Sequence, residues 1–195
     1  MRQPPGRLPV PFGRFDEDCL VTSACSLALW VAVPDELPTG AMMLAAAAFN
    51  FARLFRWAGE RTISDRLILV LHVGYFFVPA GFLLNGVTTL GLVSATAGIH
   101  AWTAGAIGMM TLAVMSRASL GHAGRELIAS PALQAVYAAA TIAAVARVCA
   151  AVHPQWDDGL PPVATLAWAG AFLGFATLYA PLFFLPKRKM VQAAP

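Results

Sequence analysis

Along the chain, apolar residues stand in long runs cut by proline, glycine and charge, and six such runs can be read. They cover roughly 19–33, 38–55, 67–86, 97–116, 132–152 and 162–185, and each predicts a membrane-spanning helix. From 67 to 116 there are fifty residues without Asp, Glu, Lys or Arg. A spanning helix needs about 20 apolar residues, so this stretch holds two spans and a turn. The first run, "CLVTSACSLALWVAV", is short and needs tilt, local thinning or flanking residues to cross. The third contains Pro79 and Gly81, where a kink is an expectation. Residues 87–97 read equally as a loop or as a helical extension.

Composition strengthens the membrane reading. The chain has 195 residues, 58% hydrophobic and 12% charged, with a mean hydropathy of +0.67. Soluble domains carry about 25% charged residues, so the expected fold is all-α: a polytopic membrane helix bundle.

The net charge of +3 and pI near 9.0 do not point to nucleic acid, because the basic residues sit beside the apolar runs and form no stripe. Arg2, Arg7 and Arg14 precede run one, and Arg53, Arg56, Arg61 and Arg66 separate two from three. Arg117 and Arg125 separate four from five, and Lys187, Arg188 and Lys189 follow six. Twelve of the thirteen basic residues thus fall on one side, which the positive-inside rule assigns to the cytoplasm. The other connections hold Asp35, Glu36, Asp157 and Asp158. Both termini are expected inside, with residues 1–18 a cytoplasmic segment, 19–185 the six-span domain and 186–195 a basic cytoplasmic tail.

The fourth run carries Ala97, Ala101 and Gly105, with Ala104 and Gly108, at four-residue spacing, and the fifth is dense in alanine. Such small-residue faces let helices approach closely in lipid. Cys19, Cys25 and Cys149 show no metal-ligand spacing and read as small hydrophobes.

An ionisable residue within a membrane asks for a reason. His72 lies about 9 Å along its helix from Arg66, and a neutral, hydrogen-bonded imidazole and a metal ligand are comparable readings. His100 opens the fourth run near the outer face. Ala104, Ile107, Thr111, Met115 and Ala118 follow on roughly its side, a face expected to point into the bundle. Met109, Met110 and Met115 could offer soft ligands to copper, although methionines in an apolar helix are more often core filler. Arg147 is expected to snorkel to the surface, toward Asp157 or Asp158, with an acidic cofactor group as the sharper alternative. Trp57 and Trp102 fall where interfacial aromatic belts are expected. No phosphate loop, nucleophile motif or HExxH occurs, and no carboxylate relay stands out, so no catalytic cycle is evident.

The run "HAWTAGAIGMMTLAVMSRASLGHAGR" at 100–125 resembles the signature of the NnrS family, bacterial membrane proteins tied to nitric oxide stress. "RLFRWAGERTISDRLILVLHVGYFFVPAGF" at 53–82, "FGRFDED" near the start and "LYAPLFFLPKRK" near the end are similar to the family as well. The resemblance implies a protein of the bacterial inner membrane that binds haem, with copper as a second cofactor, and acts in nitric oxide response or resistance. It favours His72, His100 and His122 as cofactor residues. Arg117 and Arg125 follow as groups that anchor propionates or set local charge, and Met115 as a further metal candidate. The resemblance is to the C-terminal half of a longer family pattern, whose first half has a histidine-rich motif of the type "HAHEMLFGF" that does not occur here. The chain is therefore expected to be a short form, a split-gene product or a late-started gene model. Its expected partners are a separate N-terminal-half chain or a second copy.

Depth separates the histidines. His72 and His100 belong near opposite faces, about 15 Å apart in a core of about 30 Å, whereas two axial ligands of one iron need nitrogens about 4 Å apart. His72 and His122, both toward the inner face, are the more plausible pair if the turn at 121–124 folds back. The alternative function is a cofactor-free membrane subunit or small transporter that keeps the fold without the site.

Overall fold

A computed structural model describes residues 7–156 and 158–184, all helix and connecting turns; Arg2, Asp157 and the basic tail 186–195 lie outside the described residues. Six long helices follow one another: α1 (Arg14–Ala32), α2 (Leu37–Arg56), α3 (Arg66–Thr88), α4 (Ala95–His122), α5 (Pro131–Val152) and α6 (Leu160–Phe184). Over the described residues each of the six apolar runs falls in one of them, with Val33 just past the end of α1. Of the described helices, α3, α4, α5 and α6 are long and apolar enough to cross a membrane.

Local chemistry sets the ends. Asp65 accepts from the backbone N–H groups of Leu67 and Ile68 to open α3, and Ser94 accepts from Thr96 to open α4. Ser130 accepts from Leu133 N–H at α5, where Pro131 takes the first position, whose N–H has no helical partner. At α1 the Gly13 N–H donates to Asp16 Oδ2 at 3.1 Å. The charged stretch "RFDED" is thus the first turn of α1, which starts five residues before the apolar run.

The 87–97 ambiguity resolves into both readings. Helix α3 runs to Thr88, a turn through Gly91 at φ +69° follows, and α4 begins at Ala95. That φ is open to glycine at no steric cost.

Each helix packs chiefly on its neighbours in sequence, α1 on α2, α2 on α3, α3 on α4, α4 on α5 and α5 on α6. The larger core joins α3 to α6 through Leu67, Phe77, Met109, Leu112, Leu133, Ala140 and Phe175. A smaller one joins α2 to α3 through Met43, Ala46, Ala47 and Phe82. The small residues on α4 work as their spacing requires. Ala97, Ala101 and Gly105 are buried, and a Cβ on Gly105 would stand 2.2 Å from Phe77 Cγ. Glycine is required there because a neighbouring ring fills the space.

Three expectations are corrected. First, α4 widens into a π-helical segment over Ala101–Ile107, directly after His100. A π turn shifts the helical phase, so a 3.6-residue projection from His100 fails across it. The face of Ile107 and Met115 turns outward, 60% and 44% exposed, and does not enter the bundle. Second, Trp102 is no belt residue. It lies in the notch of Gly81, donates from Nε1 to Val78 O at 3.0 Å, and meets Trp30 and Phe82 edge-on at 5.6 and 5.1 Å. Third, of the cysteines only Cys19 is a buried small group; Cys25 is exposed and Cys149 half-buried.

Candidate functional site

The arrangement around His72 begins with the hydrogen-bond inventory of its ring. Nδ1 lies 3.1 Å from the carbonyl oxygen of Ile68, one turn earlier in α3. A carbonyl only accepts, so in the neutral ring Nδ1 carries the proton and Nε2 keeps its lone pair. Nε2 is buried and has no partner. Metal-bound histidines show this pattern, one ring nitrogen donating to a backbone carbonyl and the other left to bind.

The ring is held on two sides. Trp57, just after α2, meets it edge-on with centroids 6.1 Å apart. A Cβ on Gly59 would stand 2.9 Å from His72 Cδ2, so Gly59 lets the backbone close on the imidazole. Beside it opens a cavity of about 390 Å³, lined by Leu54, Phe55, Leu69, Val73 and Phe76 with Arg7 and Glu60 at the polar edge. Arg7 comes from the segment preceding α1. It stacks over the Phe55 ring at 3.8 Å, donates to the Phe55 carbonyl and pairs with Glu60 at 3.5 Å. The same segment is pinned by Val10 N–H donating to Arg56 O at 3.0 Å.

Behind Trp57 lies a buried polar network that the sequence reading missed. The Asp16 carboxylate, on α1, takes Arg53 Nε at 3.1 Å and Arg56 Nη2 at 3.7 Å. Tyr75 OH donates to Asn50 Oδ1 at 2.6 Å, and Asn50 Nδ2 donates to Ser23 Oγ and Ala46 O, both at 2.8 Å. Trp57 packs on Tyr75 at 4.5 Å and under the Arg53 guanidinium at 5.2 Å. The signal was periodicity of polar residues: Asp16, Cys19, Ser23 and Ser26 fall at helical spacing on α1, and Asn50, Arg53 and Trp57 on α2.

The other named residues stand elsewhere. His122 is the exposed last residue of α4, and the turn after it, with Gly124 at φ +65°, does not bring it into the cavity at His72. His100 is half-buried at the opposite end of the same helix, with Arg147 of α5 as its charged neighbour. Arg117 is half-buried and Arg125 exposed; Arg125 edges a separate cavity of about 480 Å³ with Glu126 and Tyr179. Met115 is exposed on α4. Among the described residues no three His, Cys, Asp or Glu side chains gather as a metal cluster.

The family model described as "NnrS protein" matches residues 5–187. The chain belongs to the NnrS family. This NnrS chain has its family match across the cavity at His72, the π segment and all six helices. No curated protein and no solved structure matches it.

Proposed function

We propose that this NnrS protein is a six-span protein of the bacterial inner membrane, both termini cytoplasmic, which binds haem and acts in nitric oxide response or resistance. The observation that carries the proposal is the buried, unpartnered Nε2 of His72 beside an apolar cavity. The residues fit ligation through a single histidine. His72 would bind the iron through Nε2, Ile68 O would fix the tautomer, and Arg7 at the polar edge would face a propionate. Bound haem would supply an iron able to take a diatomic ligand.

The chain's own part is to hold the imidazole and to line the cavity beside it with Phe55, Phe76 and Val73, the Arg7–Glu60 pair standing at its polar edge. His100 and His122 are placed too far along α4 from each other to share one metal, 22 residues or about 33 Å. We assign them, with Arg117, Arg125 and Met115, to the outer and inner ends as separate candidates for copper or for contacts with a partner chain or second copy. An absorption spectrum of protein purified from haem-replete cells in mild detergent tests the reading: a Soret band is expected, and its absence overturns it.

A further inference from the structure

A slot runs between α5 and α6 at the end of the bundle opposite Arg66, Arg117 and Arg125. Its volume is about 790 Å³, within the range of small-molecule sites. Val145 and Cys149 of α5 and Leu160 and Val163 of α6 form its walls, and Gln155 and Trp156 stand at its mouth. It reaches down α5 as far as Thr141, eight residues below Cys149 or about 12 Å of helix.

Charge selects the occupant. None of the described residues lining the slot is charged, and the adjacent Asp158 is acidic. Arg147 of α5 neighbours His100 and does not line the slot, so a phospholipid phosphate placed within it would be desolvated without a lining cation to pair with. A neutral head is favoured, and the mouth is equipped for one. The Gln155 amide has donors and an acceptor that meet no partner among the described residues, and the Trp156 indole, 47% exposed, offers a ring and an N–H. The open side of the slot leaves a long apolar tail free to pass into lipid.

We propose that this slot binds a quinone-class amphiphile, a neutral ring with hydrogen-bonding oxygens on an isoprenoid tail. The ring lies beside Gln155 and Trp156, and the tail follows Val145 and Val163 toward the bilayer centre. Binding here is independent of a cofactor at His72, so haem-free protein serves equally in the test.

The experiment is a fluorescence titration with decylubiquinone, a quencher of indole emission, using the full chain in phosphatidylcholine nanodiscs. Saturable quenching is expected, with its saturable part lost in Trp156→Phe. Val163→Phe, which fills the slot from a position 46% exposed, weakens the apparent affinity about tenfold. Leu166→Phe, a surface position outside the slot and 74% exposed, leaves it unchanged. Quenching that rises linearly with quinone and is identical in the wild type and Trp156→Phe overturns the proposal. So does native mass spectrometry showing a retained phospholipid that decylubiquinone does not displace. If Val163→Phe does not insert, the Trp156→Phe comparison decides alone.

Discussion

Asp16 and Arg53 meet at 3.1 Å between α1 and α2, with the carboxylate 95% removed from solvent and Arg56 on its other oxygen. The contact explains why an acidic stretch belongs to α1: two arginines on the neighbouring helix neutralise the one carboxylate that faces inward. Removing Asp16 leaves two guanidinium groups crowded without an anion. Breaking one side of a buried pair costs on the order of 3–5 kcal/mol; Arg56 is partly solvated, which places this case at the lower end. Asp16→Ala is expected to lower the thermal unfolding midpoint in detergent clearly, and Asp16→Ala with Arg53→Leu to regain part of it. Equal midpoints for the wild type and Asp16→Ala would show that the pair contributes nothing.

Gly59 bears on His72 directly. A methyl group there would lie 2.9 Å from Cδ2, closer than side chains pack, so either the imidazole or the backbone at Gly59 must shift and the ring's setting against Ile68 is disturbed. Gly59→Ala is expected to alter or abolish a haem spectrum while leaving the far-ultraviolet circular dichroism unchanged. An unaltered spectrum in a loaded, folded variant would separate Gly59 from the site.

Close helix approach makes two further positions intolerant. A Cβ on Gly81 would meet Trp102 at 2.2 Å, and one on Gly105 would meet Phe77 at the same distance. Overpacking typically costs about 1–3 kcal/mol. Gly81→Val and Gly105→Val should therefore lower the yield of folded protein, whereas Gly170→Ala, with open space around it, should match the wild type. Size-exclusion profiles of the detergent-solubilised variants provide the comparison.

These residues show what could be read from the chain and what could not. The six helices follow from apolar runs and charge breaks, and the small residues of α4 from their spacing, because helix length and close approach are local, one-dimensional properties. The availability of His72 was not readable. It depends on where the α2–α3 connection and the segment around Arg7 return in space, which no periodicity encodes. The outward face of Met115 was lost to the π turn after His100, a shift of phase that a regular helical projection has no means to include. Asp16, Asn50 and Tyr75 escaped because their meaning lies in contacts across three helices, which no single run displays.

The number of spans can be measured at one site. In a cysteine-free background, Glu36→Cys lies between α1 and α2, Ser94→Cys between α3 and α4, and Ser64→Cys between α2 and α3. With six spans, an impermeant maleimide on intact cells labels Glu36→Cys and Ser94→Cys and spares Ser64→Cys. If only α3 to α6 cross, Glu36→Cys stays unlabelled with Ser64→Cys.

The central claim is that His72 offers Nε2 to a haem iron, and ligand rescue tests it most directly. The wild type purified from haem-replete cells should show a Soret band that is lost in His72→Gly and returns when imidazole is added. The His122→Ala variant should keep its band, because His122 stands outside the cavity. A full Soret band in His72→Gly without imidazole would contradict the account.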